Sequence, residues 1–530
     1  RPEDVLQGAI GNCWFAGALS CVAQRPELID KIILTKEFNP IGVYQIRLFH
    51  AGQWRTVTID DNFPTSKVMP FKDTINEQGQ PVVFYSRGGQ LSYLSCARHQ
   101  IWVPLVEKAA AKIYGAYEAL SGGTFGEALS MFTGGSVETI RLHVPKAYHE
   151  RRAQMRQHVI EKRTQALLQG LDPDSVPDPA EEVDDAWSLS LDPDLLWSKL
   201  LSWRQAGYVM GLGCTAEGCE RTVEQVREKG LQAPHAYGLL DIREVTDQTG
   251  KLHRLIQLRN PWGERSEVAW KGEWGPDSPL WTRELKLALG VINKAGVQMS
   301  DGKSIFWMSF EDVRDYFVTL DVARVHENYF VETQRGWIPC GIGPGEAFDL
   351  TVYKQTQVDV SVWQEKHRTR EAAMGAKSTN VDVGLVILRK VKDTAVPWQC
   401  VEYLKRTDQD SISIETILDG GYVYRLQPIC YNQMGKEFPR KVTLQVQSEK
   451  RCKLEKIPSS WDLIATAILE ASVLCAKAIP FNQANPSFIQ RVIREQGFVI
   501  VNENHGADVV CAQLDASESK NVVSSPVQES

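Results

Sequence analysis

The sequence predicts an α+β protein, because helical and strand-like patterns alternate early in the chain and strands predominate later. Apolar residues recur at helical spacing in 101–114 and 195–207, whereas 236–245 and 252–259 have the pattern of two strands divided by a turn. Beyond about residue 325, short alternating segments follow one another. Such a series is typical of an antiparallel β-sandwich.

The length and composition of the chain restrict its class. At 530 residues it is too long for a single core, so two to four domains are expected. Its composition is that of a soluble globular protein, and a net charge of −7 gives no indication of nucleic-acid binding. Eleven cysteines without a CxxC pair favour free thiols in a reducing compartment, so we expect a cytoplasmic protein. The chain opens at Arg1 rather than at methionine, so we expect it to be part of a longer protein.

Changes of pattern along the chain predict six segments. Proline and acidic residues are dense in 172–185, which indicates an exposed linker or insertion, and 67–100 is expected to be a long loop. The Asn485-Pro486 pair predicts the start of a helix that ends at Gly497. The predicted segments are a first subdomain (1–145), a charged and proline-rich insertion or linker (146–194), a second subdomain (195–325), the β-sandwich (326–450), a small α+β module (451–515) and a disordered tail (516–530).

One cysteine lies where a loop is expected to become a helix, in QGAIGNCWFAGALSCVA (7–23). Gly8 and Gly11 disfavour a helix before Cys13, and the apolar residues after it recur at helical spacing. The positive end of the helix dipole would stabilise the thiolate form of Cys13. Gln7 could place its side-chain amide beside the sulfur as a donor to an oxyanion. A lone cysteine in such a helix is more often structural, so the interpretation depends on partner residues.

Two candidate partners of Cys13 lie on or beside neighbouring predicted strands. His235 begins one strand in PHAYGLLDI, and Asn260 ends the next in LRNPWG. Strands joined by a turn can bring both side chains to one rim of a sheet, where the asparagine oxygen accepts the imidazole N–H and the other ring nitrogen faces Cys13. Trp262 could shield this hydrogen bond from water. Each residue alone has an ordinary structural explanation, but the combination favours a nucleophilic cysteine site.

Three segments resemble the active-site segments of the calpain cysteine proteases. They are QGAIGNCWF around Cys13, PHAYGLLDIREV around His235 and LIQLRNPWG around Asn260. EKAAAKIYGAYEALSGG, FTGG and FWMSF add further matches, so the resemblance covers about residues 2–325. It implies a papain-like protease core of two subdomains, with a cleft between the cysteine side and the histidine–asparagine side, followed by a calpain-type antiparallel β-sandwich.

The end of the chain indicates a particular kind of calpain. Residues 497–524 are similar to the end of the small-optic-lobes calpains. No EF-hand pattern appears at the C-terminus, so we expect neither the conventional calcium-binding domain nor dimerisation with an EF-hand small subunit. The expected architecture is therefore α+β: a papain-like two-subdomain core, an antiparallel β-sandwich and a small α+β C-terminal module.

The resemblance also implies an activity and a cofactor. It implies a calcium-regulated intracellular cysteine endopeptidase that performs limited proteolysis of protein substrates through an acyl-enzyme. Calpain cores are expected to hold one calcium ion in each subdomain, and Asp4 and Glu127 match acidic ligands of the first site. Asp301 matches a ligand of the second site. There Lys303 stands where the family has a glutamate, and an ammonium group repels calcium, so the second site is expected to be weak.

Two alternatives remain open at this point. A catalytically weak or inactive calpain-like scaffold is favoured by Lys303 and by Pro234, which replaces a glycine of the family before the histidine. The intact Cys13, His235 and Asn260 speak against it. Transglutaminase-type acyl transfer is suggested by GNCWF alone and is disfavoured, because those enzymes pair histidine with aspartate.

A basic loop interrupts the predicted β-sandwich at 365–377. Its positive residues are Lys366, His367, Arg368, Arg370 and Lys377. A solvated loop is the ordinary explanation, and contact with an anionic membrane surface or an acidic partner is the alternative.

Overall fold

The computed structural model divides into two compact units. One unit contains Arg1–Phe49 and Trp54–Val325, and the other contains His50–Gln53 and His326–Ser530. The finer boundaries predicted from the sequence stay predictions. The residues that the structure describes are 1–66, 70–75, 81–85, 90–98, 100–168, 187–215, 221–263, 269–299, 303–339, 345–365, 380–392, 395, 397–407, 409–430, 440–476, 478–482, 485–495 and 497–507.

The first unit mixes helices and strands, as the sequence predicts. Its described helices are α1 (Cys13–Val22), α2 (Pro26–Ile32), α3 (Trp102–Tyr114), α4 (Phe125–Thr133), α5 (Lys146–Leu168), α6 (Ser188–Leu191), α7 (Pro193–Gln205), α8 (Val223–Glu228), α9 (Arg283–Ala288) and α10 (Phe310–Tyr316). Short 3₁₀ turns occupy Pro2–Asp4 and Glu118–Leu120.

The strands of this unit are all paired in antiparallel fashion. They are β1 (Val5–Leu6), β2 (Val43–His50), β3 (Gln53–Asp60), β4 (Thr65–Ser66), β5 (Pro70–Ile75), β6 (Pro81–Tyr85), β7 (Gln90–Leu91), β8 (Ser95–Cys96), β9 (Val137–Arg141), β10 (Val209–Cys214), β11 (His235–Thr246), β12 (Leu252–Arg259), β13 (Ile305–Ser309) and β14 (Thr319–Ala323). One six-stranded sheet has the order β13-β12-β11-β10-β14-β9, and the other strands form two-stranded pairs.

Three hydrophobic clusters lie in the described part of the first unit, and the two largest contain the elements that carry the candidate site. The first is built around α1, α3 and α4, and α1 is buried from Trp14 to Val22 because its small and apolar residues leave no polar face. The second packs α7 and α10 on the six-stranded sheet, with Trp197 of α7 against Phe310 of α10 at 5.0 Å between ring centroids. Helix α1 belongs to the first cluster, whereas strand β11 contributes Ala236 to the first cluster and Tyr237 and Leu239 to the second. The candidate site lies where this helix and this strand meet.

The second unit is rich in strands, which confirms the coarser prediction for this region. Its strands are β15 (Phe330–Ile338), β16 (Glu346–Val352), β17 (Thr356–Gln364), β18 (Val383–Val391), β19 (Gln399–Thr407), β20 (Ser411–Leu418), β21 (Tyr422–Ile429), β22 (Arg440–Ser448), β23 (Cys452–Pro458), β24 (Ile479–Asn482), β25 (Asn485–Glu495) and β26 (Gly497–Asn504), with one described helix, α11 (Trp461–Cys475).

These strands form three antiparallel sheets. The orders are β15-β22-β17-β20, β19-β18-β21-β16-β23 and β24-β25-β26. Alternating residues from the first two sheets, such as Val360 and Leu385, share one hydrophobic cluster, so the two sheets pack face to face. Helix α11 places Ala467 and Ala471 in a separate cluster with Val386 and Leu388 of β18.

The structure corrects two expectations about local conformation. The segment that opens with Asn485 and Pro486 is strand β25 rather than a helix, because it pairs with strands on both sides and its β-branched residues suit a pleated sheet. The expected loop 67–100 contains strands β5 to β8 in its described part. The predicted basic loop at 366–377 lies outside the described residues. Among the described helices, none has both the length and the apolar character needed to cross a membrane.

Candidate active site

Cys13 is the first residue of α1, as the sequence predicts. The loop before it must pass very close to a neighbouring segment: a Cβ atom on Gly8 would lie 2.1 Å from the carbonyl oxygen of Tyr93. The Ala9 N–H donates to the Ser92 carbonyl oxygen at 2.9 Å, which fixes this approach. Glycine at position 8 is therefore required to bring the loop against 92–93 and to start the helix at Cys13.

Helix α1 lies along strand β11. The Cys21 sulfur lies 3.5 Å from the Met210 carbonyl oxygen and 3.8 Å from the Leu239 carbonyl oxygen, and the Gln24 amide donates to the Leu240 carbonyl oxygen at 3.3 Å. The helix approaches so closely that a Cβ on Gly238 would lie 2.5 Å from the Cys21 sulfur. Helix α1 and strand β11 therefore run in the same direction, because later residues of the helix contact later residues of the strand.

The same face of α1 brings Cys13 to the beginning of β11. Cys13 lies eight residues, or just over two helical turns, before Cys21, and its sulfur is near enough to the backbone N–H of Ala236 for that N–H to lower the pKa of the thiol. Burial raises the pKa of the Cys13 thiol, and the N–H groups of Ala236 and Trp14 lower it by less. This direction is opposite to the sequence-based expectation of a stabilised thiolate, because burial outweighs the helix terminus.

His235 and Asn260 meet at one rim of the six-stranded sheet. His235 is the first residue of β11, and Asn260 directly follows β12, its neighbour in the sheet. The imidazole Nε2 donates to the Asn260 side-chain oxygen at 2.9 Å, and the Trp262 N–H donates to the same oxygen at 3.0 Å. With the proton on Nε2, the neutral ring has a basic lone pair on Nδ1.

Two aromatic rings enclose the imidazole. Trp262 lies 4.9 Å from His235 between ring centroids, and Tyr237 lies 5.0 Å away with its ring perpendicular. Burial lowers the pKa of His235 to about 4, although the bond to Asn260 opposes the change. Tyr237 was not among the predicted site residues, although its position two residues after His235 in a strand places it on the same face.

Gln7 is held within the loop before Cys13. Its side-chain amide nitrogen donates to the Ile10 carbonyl oxygen at 2.9 Å, and its backbone N–H donates to the Pro261 carbonyl oxygen at 3.1 Å. The second bond ties the cysteine loop to the segment just after Asn260. The role of Gln7 toward an oxyanion stays a prediction.

A buried glutamate that was not among the predicted site residues supports the cysteine loop. Glu107 of α3 is 1% exposed and accepts hydrogen bonds from the Asn12 amide at 2.7 Å and from the Leu94 N–H at 2.9 Å. Burial raises the pKa of Glu107 to about 8. Its signal in the sequence is weak, since a charged residue on an otherwise apolar helix face only indicates that it has a buried partner.

The residues predicted to bind calcium do not form a shared cluster in the described part of the chain. Asp4 is buried and paired with the guanidinium of Arg98, whose Nε donates to the carboxylate at 2.6 Å. Burial alone would raise the pKa of Asp4. Hydrogen bonds from the Arg98 guanidinium and from the ammonium group of Arg1 outweigh burial, so the pKa of Asp4 lies below its ordinary value. Glu127 accepts a hydrogen bond from the Tyr114 hydroxyl at 3.0 Å, and Asp301 lies outside the described residues.

This donor set does not fit calcium as it stands. Within the described ranges, no group of three or more histidine, cysteine, aspartate or glutamate side chains is placed to hold a metal. A guanidinium on Asp4 occupies the carboxylate that a cation would need. We therefore derive no catalytic step through calcium.

Comparison with known proteins identifies the family. The family model described as calpain family cysteine protease matches residues 1–324, and the chain belongs to this family. The calpain-type cysteine protease DEK1 of Arabidopsis thaliana is 33% identical over 326 residues, which cover 62% of this chain and 12% of that protein. Calpain-14 of Homo sapiens is 30% identical over 69% of this chain and 44% of its own length. The Calpain-1 catalytic subunit of Rattus norvegicus is 28% identical over 63% of this chain and 37% of its own.

The predicted resemblance to calpains is thus confirmed. The chain spans about an eighth of the length of DEK1 and less than half of the two animal calpains. The likeness of 497–524 to small-optic-lobes calpains lies outside the matched residues and stays a prediction. Among solved structures, the mitogen derived from Yersinia pseudotuberculosis is 13% identical over 22% of this chain with a TM-score of 0.16, which is too low to indicate a shared fold.

Proposed function

We propose that this calpain-family chain is a cysteine endopeptidase with a papain-like core, in which Cys13 is the nucleophile, His235 the base and Asn260 the residue that orients the imidazole. The observation that supports this proposal most directly is the 2.9 Å hydrogen bond from His235 to Asn260 at the rim where α1 presents Cys13. The bond fixes the tautomer that a general base needs.

The pKa directions indicate the order of proton transfer. Burial raises the pKa of Cys13 and lowers that of His235, so both groups are neutral in the resting site near pH 7. His235 then removes the thiol proton through Nδ1 as the sulfur attacks the peptide carbonyl. The imidazolium returns this proton to the leaving amine, and water attacks the resulting thioester with His235 again as the base.

The beginning of α1 offers the donors that a developing oxyanion needs. The first N–H groups of a helix have no partner within the helix, and that of Cys13 lies next to the reacting sulfur. Gln7 is the proposed second donor. Because a folded segment cannot bring its carbonyl to a half-buried sulfur, the substrates are expected to be exposed, extended segments of other proteins.

Labelling of Cys13 by a peptidyl epoxide tests this proposal. We expect a covalent adduct on Cys13 in the folded chain, together with cleavage of casein, and loss of both in Cys13→Ala. Cys475→Ala is the matched control, because Cys475 is an exposed thiol of α11 outside the candidate site. Absence of labelling in a folded sample would contradict the protease and favour a calpain-like scaffold.

Calcium regulation remains part of the proposal on the strength of the family resemblance. The Asp4–Arg98 pair predicts that the core needs a high calcium concentration, because the guanidinium competes with the cation for the carboxylate. The same labelling repeated with a calcium chelator and across a calcium titration tests this. A cytoplasmic location and contact of the basic loop at 366–377 with an anionic membrane are likewise proposals.

A further inference from the structure

A buried arginine joins the two sides of the candidate site. Arg259 is the last residue of β12, directly before Asn260, and is 1% exposed. Its guanidinium leaves the sheet and reaches the cysteine side: Nη2 donates to the Val5 carbonyl oxygen at 2.7 Å, and Nε donates to the Ser20 hydroxyl at 3.2 Å. Ser20 is on α1, and Val5 lies two residues before Gln7.

These acceptors are well prepared for a cation. The Ser20 hydroxyl donates its own proton to the Ala16 carbonyl oxygen at 2.9 Å, which leaves its lone pairs for Arg259. Burying a guanidinium is costly unless its donors are satisfied, and both of these partners are neutral oxygens. An apolar residue would fill the same space at a lower desolvation cost. The hydrogen bonds of the guanidinium to Val5 and Ser20 therefore explain why an arginine stands here.

The same two chain segments are tied a second time. The Gln7 N–H donates to the Pro261 carbonyl oxygen, two residues beyond Arg259. Residues 5–7 and 259–261 are therefore joined by two hydrogen bonds, and the Ser20 bond adds α1 itself. All three bonds connect the part of the chain that carries Cys13 with the part that carries Asn260.

We propose that Arg259 is a positioning residue, which holds α1 and the cysteine loop against the end of β12 and so sets the placement of Cys13 relative to His235. This inference rests on the proposed cysteine protease function. A misplacement of about 1 Å between reacting groups can cost about 100-fold in rate, so the bonds of Arg259 are expected to affect proton transfer more than substrate binding.

The test is the rate at which iodoacetamide alkylates Cys13 in the full chain, quantified on the Cys13 peptide by mass spectrometry. At pH 6 the reaction depends on His235 removing the thiol proton, whereas at pH 9.5 hydroxide increasingly does so. We expect Arg259→Met to react about tenfold more slowly than the wild type at pH 6, with a much smaller difference at pH 9.5. For peptide cleavage we expect kcat to fall while KM changes by less than about threefold.

Matched variants separate positioning from general stability. Arg254→Met changes another arginine of β12, whose guanidinium pairs with Asp194 on α7, and should leave the pH 6 rate unchanged. Ser20→Ala removes one acceptor with little change in volume and should slow the pH 6 reaction about threefold. Arg259→Lys keeps the charge but loses the planar guanidinium with its several N–H donors. Its rate at pH 6 is expected to lie between those of the wild type and Arg259→Met. If Arg259→Met does not fold, Ser20→Ala and Arg259→Lys carry the test.

The outcomes separate the two proposals. Equal rates at pH 6 in the wild type, Arg259→Lys and Ser20→Ala, with His235→Ala much slower, would overturn the positioning role and leave the protease intact. A wild-type rate at pH 6 no higher than that of His235→Ala would overturn the proposed function and this inference with it. A variant slower by the same factor at both pH values would show a loss of access or folding and would also overturn the positioning role.

Discussion

The two sides of the candidate site are built in different ways. On the strand side, His235 and Asn260 are 25 residues apart and are joined by adjacent strands of one sheet. On the helix side, Asn12 is fixed by Glu107, which is 95 residues away in the sequence. Arg259 is farther still from its acceptors Ser20 and Val5.

This difference shows which parts of the site depend on long-range packing. A strand–turn–strand unit can form its rim with few distant contacts, whereas the cysteine loop requires several separate segments to come together. We therefore expect changes on the helix side to alter stability and assembly, and changes on the strand side to alter the chemistry directly.

The largest expected effect is on the helix side, in Glu107→Gln. The pKa of Glu107 is raised from 4.5 to about 8 in the folded chain, so its contribution to stability is full below about pH 4.5 and is lost as the pH rises toward 8. At about 1.4 kcal/mol per pKa unit, this contribution falls by roughly 3–5 kcal/mol over that range. We expect Glu107→Gln to remove this slope in urea unfolding of the first unit measured between about pH 5 and pH 8. Glu118→Gln, on the exposed turn nearby, should keep it, and an unchanged slope in Glu107→Gln would contradict the assignment.

The second effect is on the strand side, in Asn260→Ala. Without the oxygen that accepts its Nε2 proton, His235 loses its fixed tautomer and ring angle. We expect kcat for peptide cleavage to fall about 100-fold with little change in KM. Asn293→Ala serves as the control, because Asn293 closes an exposed turn outside the candidate site. A loss of less than about fivefold would mean that Asn260 does not orient the base.

A smaller effect on the same side is expected from Trp262→Ala. Removing the indole admits water to His235, so its pKa should rise from about 4 toward 6.5, since solvation favours the charged ring. Only the neutral ring accepts the thiol proton, so the acid limb of kcat/KM should move upward by about one pH unit, with roughly a twofold loss at pH 5 and a larger loss at lower pH. A pH–rate profile measures this, with Trp461→Ala as an exposed control. If the acid limb of kcat/KM does not move, Trp262 does not exclude water from the His235 imidazole.

The smallest expected effect is at the edge of the helix side, in Arg98→Met. This change removes the guanidinium from Asp4 and leaves a buried carboxylate that a cation can approach. We expect the calcium concentration for half-maximal Cys13 labelling to fall about threefold or more relative to the wild type, because one competing charge is gone. Arg243→Met, which alters an exposed ion pair on β11, is the control. If labelling of Cys13 does not depend on calcium in either the wild type or Arg98→Met, Asp4 is not part of a calcium site.

Local patterns accounted for much of the fold. The helices at 101–114 and 195–207 and the strands at 236–245 and 252–259 were predicted because their periodicity repeats over several turns or alternations. The error at Asn485 has a physical reason. An Asn-Pro pair is a local helix-start signal, but pairing with β24 and β26 on both sides outweighed it.

The sequence by itself determined the family, the helix that begins at Cys13 and the meeting of His235 with Asn260, because each follows from a local period or a short motif. Only the tertiary structure decided the protonation of the site and its supports. Burial by distant segments raised the pKa of Cys13 where the helix terminus alone predicts a lower value. The contacts of Arg259 and Glu107 could not be predicted for the same reason, since their partners lie on elements that come together only when the chain folds.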